Sequence, residues 1–155
     1  MKNRHEVNIN ETWAIEELFE NDEVFLDSLD ELKGLSDDFT NKYKSLNSAD
    51  QIYEALEAYS EIAALTDRLG TFASITTEVD TTDGKVMKRF ANFVNEMSKI
   101  DAKLSFFESM LAKTNANLLE EAKENYPGYK YYLKKVIDNS KYLLSDESEK
   151  VLANL

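Results

Sequence analysis

The chain has no cysteine, one proline, four glycines and one histidine in 155 residues. Without cysteine there is no disulfide framework and no thiolate site, which fits a reducing cytoplasm. A single histidine with no cysteine leaves too few ligands for a typical catalytic zinc site. So little proline and glycine is poor punctuation for a many-turned β fold, and it favours long helices. An excess of basic charge is missing too: 30 acidic against 18 basic residues give a formal net charge of −12. Phosphate binding needs clustered Lys and Arg, so nucleic acid is a disfavoured partner, and an anionic membrane surface equally so. The charge reads as solubility. No apolar run approaches the roughly 20 residues of a membrane span. Met1 to Glu11 is polar and lacks the apolar core of a signal peptide.

What is present is material for a core. Hydrophobic residues make up 43% of the chain, with 8 Phe and 8 Tyr. A chain of this length is one domain by size and buries about two-thirds of its unfolded surface. The expected fold is all-α, a bundle of about five to seven helices. Residues 1–11 read as an extended lead-in and 12–155 as helices.

Helical periodicity recurs along the chain. Thr12 is placed to cap a short helix from Trp13, with Ile15, Leu18 and Phe19 on its apolar face. Asp22 opens a longer segment in which Phe25, Leu29, Leu32, Phe39, Tyr43 and Leu46 form a stripe, with Ser36 its one polar member. Gly34 weakens this run, so a joint near residues 34–36 is an open alternative. Ser48 to Asp50 offers the next N-cap. The helix from Gln51 to about Glu78 has two stripes. One is Ile52, Leu56, Tyr59 and Ala63; the other is Ile62, Leu65, Leu69, Phe72 and, less cleanly, Val79.

Asp80 to Gly84 reads as a turn that launches one long central helix over 85–112. Val86, Phe90, Phe93, Met97, Ile100, Leu104, Phe107 and Leu111 fill successive a/d positions there. A further helix is expected over 118–125. Pro127-Gly128 then breaks the chain before Tyr129, Tyr132, Leu133, Val136 and Ile137 resume helical spacing. Ser145 begins a last helix. It stops at Leu155 just as its apolar face of Val151, Leu152 and Leu155 starts, so the chain reads as cut.

Motifs for chemistry mostly fail. His5-Glu6-Val7-Asn8-Ile9 begins like the zinc-protease pattern His-Glu-x-x-His, but Ile9 stands where the second ligand is required. Asp80-Thr81-Thr82-Asp83-Gly84 hints at a calcium loop. Its glycine falls one place early and the twelfth position is Ala91, so a capped turn is the better reading. The ten carboxylates between Glu16 and Asp38, against Lys33 alone, read as a solvated face. Tyr126, Tyr129, Tyr131 and Tyr132 cluster with Lys130, Lys134 and Lys135. Aromatic packing of an amphipathic helix is favoured there over a partner-binding patch. No catalytic, metal-binding or substrate-binding residue emerges.

The order of several short signatures resembles the N-terminal region of oligoendopeptidase F, a bacterial zinc metallopeptidase family. Arg4-His-Glu6-Val7 followed by Thr12-Trp13-Ala-Ile-Glu-Glu-Leu18-Phe19 is similar to the family's opening. Ser48 to Leu56 sits where its Ser-x-x-x-Leu helix is expected. Leu65-Thr-Asp-Arg68-Leu69-Gly-Thr-Phe72-Ala73 resembles its Arg-Leu-x-x-Tyr-Ala helix, and Asp80 to Asp83 its Asp-Thr-Thr turn. Leu104-Ser-Phe-Phe107-Glu108 and Tyr142-Leu-Leu-Ser145 to Ala153 complete the series. Phe72 replaces the usual Tyr, the proline expected near Ser109 is absent, and Tyr142 stands where His is common.

The resemblance spans essentially the whole chain but stops short of the family's catalytic motif, so no catalytic or zinc-ligand position carries over. It implies a non-catalytic N-terminal domain of a cytoplasmic enzyme that cleaves short peptides. Zinc is expected in the missing catalytic domain and no cofactor in this chain. The implied partners are that catalytic domain and short peptides in the full enzyme. Self-association of the fragment through its cut face is a further expectation. The alternative is a free-standing helical interaction module.

Overall fold

The computed structural model describes residues 6–8, 11–12, 14–79 and 83–140. Of these, 84% are helical, and no described residue lies in a strand. The chain is therefore all-α, as its sparse punctuation predicts. Its helices are α1 (Asp22–Lys42), α2 (Ala49–Val79), a bent helix of 29 residues, α5 (Ala116–Asn125) and α6 (residues 130–140). The bent helix has two arms, α3 (Gly84–Leu104) and α4 (Phe106–Ala112). Ser105, between them, keeps right-handed helical angles (φ −56°, ψ −24°), so the chain bends there without a loop. The last helix expected from Ser145, together with Arg4, His5, Ile9, Trp13, Asp80 to Thr82 and Tyr142, lies outside the described residues.

The ends of the helices follow capping chemistry. Asn21 caps α1, its Oδ1 accepting from Val24 N at 3.0 Å. Ser48 Oγ accepts from Gln51 N at 3.2 Å, and Gln51 Oε1 reaches back to Asn47 N at 2.9 Å. Each side chain thus satisfies a backbone donor at the start of α2. Asp83 Oδ1 accepts from Lys85 N at 2.8 Å and caps α3. Asn115 Oδ1 does the same for α5 through Asn117 N, also at 2.8 Å. Pro127 starts a 3₁₀ turn, Pro127–Tyr129, that separates α5 from α6.

Three expectations are corrected. The short helix from Trp13 is instead a 3₁₀ turn, Ile15–Glu17, entered through Ala14 without a side-chain cap. No joint forms at Gly34, because α1 runs unbroken through it. A glycine in an exposed helix costs only about 0.5–1 kcal/mol, and the buried stripe on either side outweighs that. Helix α5 starts at Ala116 rather than Leu118, because Asn115 supplies the cap.

The chain divides into two compact units. The first lies within Met1–Phe39 and Tyr59–Lys103. Its core is a knot of phenylalanines with Phe25, fully buried, at the middle. The Phe25 ring lies 5.6 Å from Phe19, 5.2 Å from Phe72 and 6.2 Å from Phe93. Leu29, Leu32, Ile62, Leu69 and Ile100 extend this core. Ser36, fully buried in the α1 stripe, donates its hydroxyl to the Leu32 carbonyl at 2.8 Å and so strands no polar atom.

The second unit lies within Thr40–Ala58 and Leu104–Leu155. It buries Tyr43, Leu46, Ile52, Leu56, Phe107, Leu111, Leu119, Leu133 and Ile137. Of the two stripes of α2, Ile52, Leu56, Ile62, Leu69 and Phe72 are buried, Tyr59 and Leu65 are half-buried, and Ala63 and Val79 are exposed. On the bent helix the stripe is fully buried from Ile100 through Leu111. Nearer the α3 start, Val86, Phe90 and Met97 are half-buried.

Candidate functional site

The first unit holds a cleft of about 370 Å³ where four segments meet. The turn before α1 supplies Ile15, Glu16, Phe19 and Glu20. The start of α1 supplies Asp22, the end of α2 supplies Phe72, Thr76 and Val79, and the start of α3 supplies Val86 and Arg89.

Arg89 is the organising side chain. It is only 8% exposed. Its Nη1 donates to Asp22 Oδ1 and its Nη2 to Thr76 Oγ1. The guanidinium carbon lies 4.9 Å from the Phe72 ring centre and 5.7 Å from that of Phe25, so two ring faces share the charge. Nε is buried with no hydrogen-bond partner among the described residues. Thr76 Oγ1 in turn donates to the Phe72 carbonyl at 2.6 Å.

A second arginine fixes the cleft wall. Arg68 clamps the Leu18 carbonyl, with its Nε at 3.0 Å and its Nη2 also donating. Its guanidinium lies 4.6 Å over the Phe19 ring. A residue on α2 thereby holds the turn that carries Glu16 and Glu20. This explains why 15–17 closes as a short turn instead of extending as a free helix.

Glu16, Glu20 and Asp22 are exposed carboxylates, and Asp22 pairs with the buried guanidinium of Arg89. All ten carboxylates between Glu16 and Asp38 are exposed, as a solvated face requires. Farther along the same unit, Lys33 bridges Asp30 at 2.9 Å and Glu96 at 3.3 Å. Lys99 and Lys33 both donate to Glu96, and these bonds hold its carboxyl below the usual range. Among the described residues no three His, Asp or Glu side chains converge to hold a metal ion. The cleft's own hydroxyl, that of Thr76, is committed to a backbone carbonyl.

Neither arginine stood out as a site residue in the sequence. Arg68 belongs to a helix signature, and Arg89 follows Lys88 beside an apolar stripe. The only signal for Arg89 was its position between Val86 and Phe93 on the half-buried side of α3.

The tyrosine-lysine cluster of the second unit splits in two. Tyr126 stacks on Tyr53 with ring centres 4.1 Å apart and planes 5° apart, and Tyr129 meets the same ring edge-on at 6.0 Å. The Tyr126 hydroxyl donates to Asp50 Oδ1 at 2.5 Å. That bond pushes the phenol up to about 12. Tyr131 is 72% exposed, with Lys135 Nζ over its ring. A groove of about 480 Å³ runs beside it, lined by Leu111, Ala112, Tyr132, Lys135, Val136 and Asn139 among others. Aromatic packing therefore accounts for Tyr126 and Tyr129, while Tyr131 faces solvent. The capped-turn reading of the Asp80 segment is supported at its described end by the bond from Lys85 N to Asp83.

The chain is similar to two curated peptidases. One is the oligoendopeptidase F homolog of Borreliella burgdorferi (strain B31), 29% identical over 158 residues that include 99% of this chain and 26% of the relative. The other is oligopeptidase PepF of Bacillus subtilis (strain 168), 23% identical over 157 residues, 99% of this chain and 23% of the relative. The chain thus spans about a quarter of the length of the curated relatives it matches. No family model matches it, and no solved structure does. No helix among the described residues is long and apolar enough to cross a membrane.

Proposed function

We propose that this chain is the non-catalytic N-terminal helical part of a longer oligoendopeptidase F-like enzyme that cleaves short peptides. The observation that carries the proposal is the pattern of coverage. Two proteins named as oligopeptidases align with 99% of this chain, which accounts for only 26% and 23% of their own lengths. In this reading the hydrolytic water is activated by zinc held in the remainder of the enzyme, in the cytoplasm. The helices pack on that catalytic part and help enclose a channel that admits short peptides and excludes folded proteins. Their contribution is steric and positional.

A free-standing helical interaction module is the second reading. The groove beside the exposed Tyr131 is the feature that favours it. The native reading frame separates the two. Continuation far beyond Leu155 into a zinc-ligand motif supports the peptidase reading, and a stop codon directly after Leu155 contradicts it.

A further inference from the structure

We propose that the groove beside Tyr131 is the seat of this chain's own residues 145–155, laid in as a helix by their apolar face. The proposal does not rest on the peptidase reading. It takes from the interaction-module reading the groove that favours it.

Helix α6 carries two apolar stripes. Leu133 and Ile137 are buried in the core of the second unit. Tyr132 and Val136, each one position earlier, form the other stripe; Tyr132 is 38% exposed and Val136 is half-buried. Two stripes on one helix call for contact on two sides. The second stripe lines the groove of about 480 Å³, whose other wall is Ser109, Leu111 and Ala112 of α4. One charge of each sign, Glu108 and Lys135, also lines it, so apolar fit rather than net charge selects the occupant.

Place in the chain decides which occupant that is. Along α6 the groove runs from Tyr132 to Asn139, about 10 Å at the helical rise. Asn139 is next to Ser140, the last described residue, so the chain leaves the described part at the mouth of the groove. Antiparallel helices are joined by about 2–8 residues, and 141–144 supply such a connection. As a helix, residues 145–155 span about 16 Å, enough to cover the groove. Val151, Leu152 and Leu155 then share one face, with Leu144 two turns before Val151 on the same side. Asp146, Glu149 and Lys150 fall on the opposite face. The short connection holds this segment at a high effective concentration beside the groove. A separate partner would first lose its translational and rotational freedom, which the tethered segment does not.

The test uses paramagnetic NMR on the 155-residue chain, whose lack of cysteine lets Asn154→Cys carry a nitroxide at one place. The backbone amides of Ser109, Ala112, Tyr132 and Val136 should lose most of their signal and regain it when the nitroxide is reduced. Adding Leu152→Asp should restore these signals with the nitroxide still active, because a carboxylate cannot enter the groove. Val136→Asp, made on the groove side at a half-buried position, should do the same. If Val136→Asp does not fold, Leu152→Asp carries the test. Nitroxide-bearing chain mixed with isotope-labelled chain lacking the nitroxide should leave the groove signals intact. Signal loss in that mixture would mean that a second copy fills the groove, and it would overturn the proposal. Full groove signals in the nitroxide-bearing chain, a loss spread evenly along the whole chain, or a loss that Leu152→Asp leaves unchanged would also overturn it.

Discussion

Arg89 shows how much a buried charge depends on what its partners can do without it. Asp22 has a side chain 59% exposed, so water can replace the guanidinium. Thr76 keeps its bond to the Phe72 carbonyl. Removing the cation strands no partner, and it removes the unpaired Nε. Arg89→Met should therefore cost only about 1–2 kcal/mol, mostly cation–π and packing, rather than the 3–5 kcal/mol of a pair broken in the interior. Urea unfolding reads the difference. Phe93 is the contrasting case: it is 8% exposed and packs against Phe25, so truncation leaves a cavity. Phe93→Ala should cost about 3–5 kcal/mol, and a variant that melts like the parent would refute its place in the core. Tyr126 gives a pH signature. Its folded value is raised to about 12 because the protonated phenol donates to Asp50. The bond's contribution is complete below the ordinary value near 10 and fades as pH rises through about 12. Ultraviolet titration should show a late tyrosine component that Asp50→Asn removes.

At the scale of elements, packing decides where propensity alone misleads. A Cβ added at Gly34 would meet nothing within 4 Å. Gly34→Ala in the unbroken α1 should thus stabilise the chain by about 0.5–1 kcal/mol, measured by thermal melting. A loss of stability there would mean the helix is interrupted after all. The α1 stripe was legible because Phe25, Leu29, Leu32, Ser36 and Phe39 repeat at helical spacing and all are buried. The turn at 15–17 was not legible, because what holds it is Arg68, 50 residues away from Leu18. Nor was the bend at Ser105, since Leu104 and Phe107 keep the apolar register on both sides of it. The cleft was hidden for a related reason. Its members come from four segments, and its carboxylates look like any solvated acidic face until Arg89 and the phenylalanines are placed behind them. The tyrosine cluster was half legible: sequence puts four rings within seven residues, but only Tyr53, far upstream, selects which of them pack.

At the scale of the whole molecule, a net charge of −12 opposes self-association while exposed apolar residues promote it. Val79, Met87 and Val94 are 41%, 44% and 46% exposed, the last two on one side of α3. In a piece of a larger enzyme such residues are expected to be covered by the remainder. The isolated chain should sediment as a concentration-dependent mixture at moderate salt, where repulsion is screened. Val94→Glu should shift that mixture toward monomer; a parent chain that is monomeric at every concentration would contradict this. The proposed role in peptide cleavage is tested by turnover of a short fluorogenic peptide, comparing the purified 155-residue chain with the longer enzyme that the proposal implies. The longer protein should cleave the peptide and lose that activity to a chelator, while the 155-residue chain should show no turnover with or without added zinc. Chelator-sensitive turnover by the 155-residue chain alone would contradict a non-catalytic role.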